Sequence, residues 1–168
     1  GGLTDLAFET DPRQSVRDRN WFNVNWNLLA LHFDQEIGKN GTLNFRAFGM
    51  VSERNTLGFL GKVTQADPGG LREMLAGRFK NGGAELRYLT RYRTNNPEKM
   101  KGAILLGGRF YKGNTRSEQG LATDGDDADF TYRNADDLEG SSFDYPSQNI
   151  AFFAENILFL GKRLTVNF

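Results

Sequence analysis

The chain has 168 residues, and 21 Lys plus Arg balance 21 Asp plus Glu, so the formal net charge is zero with the single His neutral. No overall basic excess exists to grip nucleic acid. The absence of Cys removes disulfides and thiolate metal sites, and no apolar run approaches the ~18 residues of a spanning helix. The length suits one ordinary domain. The chain opens on Gly1-Gly2-Leu3-Thr4-Asp5. That opening has neither a basic n-region nor an apolar h-region, so the expectation is an excised or mature segment.

The first periodic stretch covers roughly residues 20–37. Phe22, Val24, Trp26, Leu28 and Ala30 share one parity, and Asn23, Asn25 and Asn27 the other. Period two predicts a strand with one apolar face. The apolar parity then changes to Leu29, Leu31 and Phe33, which a bulge or a covered inner face would explain. Gly38-Lys39-Asn40-Gly41 is a hairpin signal. The second strand starts at Thr42, with Leu43, Phe45, Ala47, Gly49 and Val51 alternating with Asn44, Arg46, Phe48, Met50 and Ser52. Residues 57–82 break the pattern. Within them Asp67-Pro68 predicts the N-cap and first residue of a short helix through Leu71, Met74 and Leu75.

The third strand is predicted over residues 84–94, with Ala84, Leu86, Tyr88, Thr90 and Tyr92 opposed to Glu85, Arg87, Leu89, Arg91 and Arg93. A turn follows at Asn95-Asn96-Pro97. The fourth strand, 101–114, sets Ile104, Leu106, Gly108 and Phe110 against Lys101, Ala103, Leu105, Gly107, Arg109 and Tyr111. Residues 116–147 form a long polar segment. A fifth strand over 148–159, a turn at Leu160-Gly161-Lys162-Arg163 and an alternating end at Leu164, Val166 and Phe168 complete the chain.

Short and long connections alternate, which puts every tight turn on one edge of the sheet and every long loop on the other. The strands are long for a soluble protein. Aromatics stand near predicted strand ends at Trp21, Phe22, Phe33, Tyr111 and Phe159. Together these features describe an antiparallel up-and-down transmembrane β-barrel segment of about six strands. A soluble β-sandwich or lipocalin-like ligand-binding barrel also alternates. The row Arg87, Arg91 and Arg93 could not be solvated inside a small dry barrel, but it could face water outside one. Periodicity leaves both architectures open.

Residues 116–147 hold two Arg against nine Asp and Glu, a net of −7, leaving +7 elsewhere. The run Asp124-Gly125-Asp126-Asp127-Ala128-Asp129 departs from a calcium loop, because Ala128 takes a ligand position. A solvated, mobile loop is expected there. His32 stands alone, so neither a metal site nor a Ser-His-Asp set is expected. No phosphate-binding glycine motif follows Gly107-Gly108, which instead suggests close packing. An enzyme is not expected, and neither is a cofactor.

Asn149-Ile150-Ala151-Phe152-Phe153-Ala154-Glu155-Asn156-Ile157, followed by Leu160-Gly161-Lys162-Arg163-Leu164-Thr165-Val166, resembles a hairpin of TonB-dependent outer-membrane receptors. Asp11-Pro12-Arg13-Gln14-Ser15, with Arg19-Asn20-Trp21-Phe22-Asn23-Val24-Asn25-Trp26-Asn27-Leu28, resembles their ferric-dicitrate-transporter-like branch from Bacteroidetes. The resemblance implies a section of a larger barrel in the outer membrane of a Gram-negative bacterium. Its partners would be outer-membrane lipid, the remaining barrel strands and, through a plug domain this chain lacks, the TonB system. Its cargo would be a scarce ligand, with a ferric chelate such as ferric citrate favoured. A passive porin-type channel segment is the other membrane reading.

The resemblance makes residues 1–168 part of one barrel domain, with 1–18, 57–82 and 116–147 extracellular and the short turns periplasmic. Arg46, Arg87, Arg91, Arg93 and Arg109 would then line a wet lumen, while Arg13, Arg17, Arg19, Arg54 and Arg78 would stand near the upper rim. The ligand-binding candidates are Arg54, Arg78, Arg91 and Arg93, because guanidinium forks suit an anionic chelate. Phe168 ends an alternating strand. Outer-membrane assembly machinery reads such a terminal aromatic, but the resemblance expects the strand to continue.

Overall fold

Period-two alternation becomes strand throughout the computed structural model, which describes residues 2–96 and 98–168. Gly1 of the first expected loop and Pro97 of the expected turn lie outside the described residues. The elements run α1 (Asp5–Thr10), β1 (Trp21–Ile37), β2 (Gly41–Gly58), β3 (Glu73–Arg93), β4 (Met100–Leu121), β5 (Ser141–Leu160) and β6 (Leu164–Asn167). The strands form one antiparallel, up-and-down sheet in sequence order, and it does not close into a barrel. At its end, Leu158 pairs with Val166 and Leu160 with Leu164. Asn156 and Phe168 then exchange both backbone hydrogen bonds, at 2.7 and 3.1 Å.

Several strands exceed their predicted lengths. β3 has 21 residues, β4 22 and β5 20. Residues 73–79, 115–121 and 141–147 therefore belong to strands rather than loops, and the long connections shrink to 59–72 and 122–140. Tyr111, expected near a strand end, lies inside β4 and stacks on Phe48 at 6.4 Å. The helix expected after Asp67 is absent, because Gly69 and Gly70 both take positive φ, 78° and 80°. Asp67 Oδ1 accepts the Gly69 N–H at 2.9 Å, so the aspartate caps a turn and Met74 and Leu75 enter β3. The helix that does form is α1, where Thr4 Oγ1 accepts the Ala7 N–H at 3.2 Å.

The chain forms two compact units. The first comprises Gly1–Asn27, Val51–Phe79 and Asn114–Tyr145. It holds a small core of Leu57, Met74 and Ala122, against which Phe130 and Tyr132 pack. Residues 122–140 fold back to cover it through the bridge between Ala122 and Tyr132 and an Arg133 N–H to Leu121 O bond of 2.8 Å. Burial raises the pKa of the Tyr132 phenol.

The second unit comprises Leu28–Met50, Lys80–Gly113 and Pro146–Phe168. All four buried hydrophobic residues, Leu57, Met74, Ala76 and Ala122, belong to the first unit, so the second has none among the described residues. Its sheet exposes side chains on both faces. Arg87 and Phe153 share one face, with the guanidinium 5.8 Å from the ring centre. Gly107 lies beneath that ring, where any Cβ would meet it at 2.2 Å. This chain's own phenylalanine thus fills the space that a packed neighbour was expected to use. The other face carries Tyr92, whose Oη donates to Asn156 Oδ1 at 3.0 Å. The expected alternation between the Arg87 set and the Tyr88–Tyr92 set therefore holds.

Candidate functional site

In the first unit three arginines tie the loops together. Arg17 is buried; its guanidinium donates to the carbonyls of Lys62 at 2.6 Å, Gly61 at 3.3 Å and Gln65, and stacks 4.7 Å from the Phe59 ring. Arg19 grips Asp67 with two bonds of 3.0 and 2.9 Å and also donates to the carbonyls of Gly70 and Asp124. Arg72 is 0% exposed and bonds Thr123 O and Thr123 Oγ1, both at 3.0 Å, with Asp127 beside it. Trp21 Nε1 adds a 2.8 Å bond to Asp126 O.

Arg17 and Arg19 therefore hold structure rather than standing free at a rim. The acidic run keeps the carboxylates of Asp126 and Asp127 in solvent. Its backbone, expected to be mobile, is fastened from three sides, because Arg19, Trp21 and Arg72 need its carbonyl oxygens. Among the described residues, no three His, Asp or Glu side chains group closely enough to hold a metal ion.

Asp67 supplies a pH test of these fastenings. The Arg19 guanidinium, helped by the Gly69 N–H, lowers its pKa below the ordinary carboxylate value. A lowered folded-state pKa contributes stability that is present above the ordinary value and lost as pH falls through the depressed one. Acid titration followed by Trp21 fluorescence should show loosening only below the usual carboxylate range. Asp67→Asn should give the acid-like signal already at neutral pH. Identical titrations for both proteins would show that this pair does not hold the loops.

The four ligand candidates fall in two places. Arg78 lies in the first unit, where Nη1 meets Glu118 Oε2 at 3.0 Å and Nε lies 3.9 Å from Glu53. Arg116 completes the set at 2.8 Å from Glu118 Oε1. The two guanidinium groups satisfy a buried carboxylate, so Arg78 already has an anion. Arg54 is exposed on β2 of the same unit.

Arg91 and Arg93 are exposed at the end of β3 in the second unit. The Arg91 N–H donates to Asn40 O at 2.9 Å, which sets the end of β3 against the hairpin turn. Gly38 in that turn has φ 62°, as its sequence signal required. Both arginines open on a groove of about 510 Å³. Lys101, missed as a candidate, lines the groove with them, and its Nζ lies 6.0 Å from the Phe159 ring centre. Its parity, shared with Leu105 and Arg109, could have marked it. The expected up-and-down order makes β3, β4 and β5 neighbours, but the register that sets Lys101 near Phe159 was not in the sequence pattern.

The units differ in charge. The first has nine Lys and Arg against sixteen Asp and Glu, a net of −7; the second has twelve against five, a net of +7. His32 sits on β1 with Asp34 3.2 Å away and Asn44 alongside, an ordinary polar cluster on a strand surface.

No protein-family model matches the chain, and no curated protein sequence does.

Proposed function

We propose that the chain is a wall section of an outer-membrane β-barrel of the TonB-dependent receptor type, which imports an anionic ligand such as a ferric chelate. One observation carries this reading: the second unit has no buried hydrophobic residue among those described, yet exposes Leu86, Leu106, Phe152, Leu164 and Val166. An aqueous fold of this size covers its apolar sheet face. A hydrocarbon layer supplies that cover. The strand lengths support the same environment. Crossing the hydrocarbon takes about 9–11 residues, and β3, with 21, has enough to cross it and extend beyond.

β1 supports the presence of further strands. It is a 17-residue edge, exposed at every position, with one neighbour in the sheet. Natural proteins shorten, charge or cover such edges, and continuation of the sheet removes the problem. On this reading the Arg46, Arg87, Arg91, Arg93 and Arg109 face lines a wet lumen and draws anions, while the first unit carries the loops. The remaining strands and a TonB-coupled plug complete the transporter, and six strands alone import nothing.

Membrane insertion tests the proposal. Refolded with phosphatidylcholine vesicles, the chain should float with them through a density gradient after an alkaline wash. Its second unit should resist protease, whereas residues 122–140 should be cut. A chain that stays monodisperse in plain buffer and leaves the vesicles on washing would instead be a soluble barrel.

A further inference from the structure

The groove at the end of β3 in the second unit combines two chemistries. Arg91 and Arg93 from β3 and Lys101 from β4 supply three cations. Leu89 from β3 and Ile157 and Phe159 from β5 supply an apolar wall. All six residues are odd-numbered on their strands, and the Lys101 Nζ lies 6.0 Å from the Phe159 ring centre. Among the described residues, none of the three cations lies within ion-pair distance of a carboxylate, in contrast to Arg78 and Arg116.

The surroundings are also positive. The Gly161 N–H donates to Lys99 O at 2.8 Å, which brings the Lys162-Arg163 turn beside Lys99. A bare, fully hydrated polyanion would use the cations and leave the apolar wall wet. A neutral hydrocarbon would use the wall and leave three charges unanswered.

We propose that this groove binds an amphiphilic anion, a carboxylate head with an acyl chain. The head sits among Arg91, Arg93 and Lys101, and the chain lies along Leu89, Ile157 and Phe159. This deepens the import reading, on which that face lines the lumen, by replacing a small hydrophilic chelate with a cargo that carries a hydrocarbon body. The cations attract the head and set a salt-sensitive association rate. The wall then makes affinity depend on chain length.

The test uses the full 168-residue chain in phosphatidylcholine nanodiscs. A dansyl-labelled fatty acid is the reporter, and decanoate, octanoate, decanol and citrate are the competitors. Decanoate should displace the reporter at concentrations at least about tenfold below decanol or citrate. Octanoate should bind about fifteenfold more weakly than decanoate, as expected for two buried methylenes. Replacing Arg91, Arg93 and Lys101 together by Gln should weaken decanoate at least tenfold while strand content stays unchanged by circular dichroism. Phe159→Ser should reduce the chain-length dependence without altering any citrate competition.

Citrate competing as well as decanoate would overturn the amphiphile assignment and leave the ferric-chelate reading in place. Unchanged binding by the triple variant would overturn the site itself, since partition into the disc alone would then explain the signal. Insertion, read by flotation, fails or succeeds separately from either outcome.

Discussion

Leu86→Arg is expected to destabilise the membrane-inserted chain by about 2–4 kcal/mol, the cost of an arginine on a lipid-facing barrel position near the bilayer midplane. Leu86 is 47% exposed, on the parity of Tyr88 and opposite to Arg87. Its neighbour gives the contrast. Arg87 lies over Phe153 and 2.7 Å from Glu85, whose side chain is 13% exposed, and Arg87→Gln, which keeps an amide donor on that face, is expected to cost about 1 kcal/mol. Urea unfolding from vesicles, with both variants on one scale, reads the difference. In water the same Leu86→Arg change would fall within about 0.5 kcal/mol, because a half-exposed leucine tolerates a charge. Equal effects for the two variants would refute both the facing of the sheet and its contact with lipid.

Arg72→Met is the second large effect, expected to cost about 2–4 kcal/mol. Arg72 is fully buried, and its guanidinium serves Thr123 O, Thr123 Oγ1 and Asp127 O. Methionine fills part of the volume but removes the side-chain donors, leaving Thr123 O with only the Arg72 backbone N–H at 3.3 Å and Asp127 O without its guanidinium bond. Asp127→Asn should cost well under 1 kcal/mol, because its carboxylate is 77% exposed and the Asp127 carbonyl keeps its bond to Arg72. Proteolysis within residues 122–140 should accelerate in Arg72→Met and stay unchanged in Asp127→Asn. The reverse order would mean that the ion pair, not the carbonyl bonds, holds the loop.

Strand identity was legible wherever one parity is apolar. Leu43 and Phe45, and Leu86 and Tyr88, alternate with polar partners, and all lie in strands. The hairpin at Gly38 and the turn at Gly161, with φ 62° and 61°, were equally legible, since few residues other than glycine accept that backbone. The strand extensions were not. Arg78, Arg116 and Glu118 look like loop residues in a window of sequence, but Arg78 on β3 meets Glu53 on β2 and Glu118 on β4, and Arg116 pairs with Glu118 along β4. Cross-strand ion pairing is a property of register, which period-two counting does not contain.

The ligand candidates divide along the same line. That arginines share a parity is a local property of the chain, so the sequence alone determined that β3 carries Arg87, Arg91 and Arg93 on one face of the strand. Whether an arginine is free is decided by neighbours far along the chain. Arg19 meets Asp67, and Arg72 meets Thr123 and Asp127. Only the tertiary structure could separate these fastened cations from Arg91 and Arg93, and set Lys101 and Phe159 beside the latter pair. The physical reason is that a guanidinium carries the same charge everywhere in the sequence, while its partners are chosen by which strands and loops the fold makes adjacent.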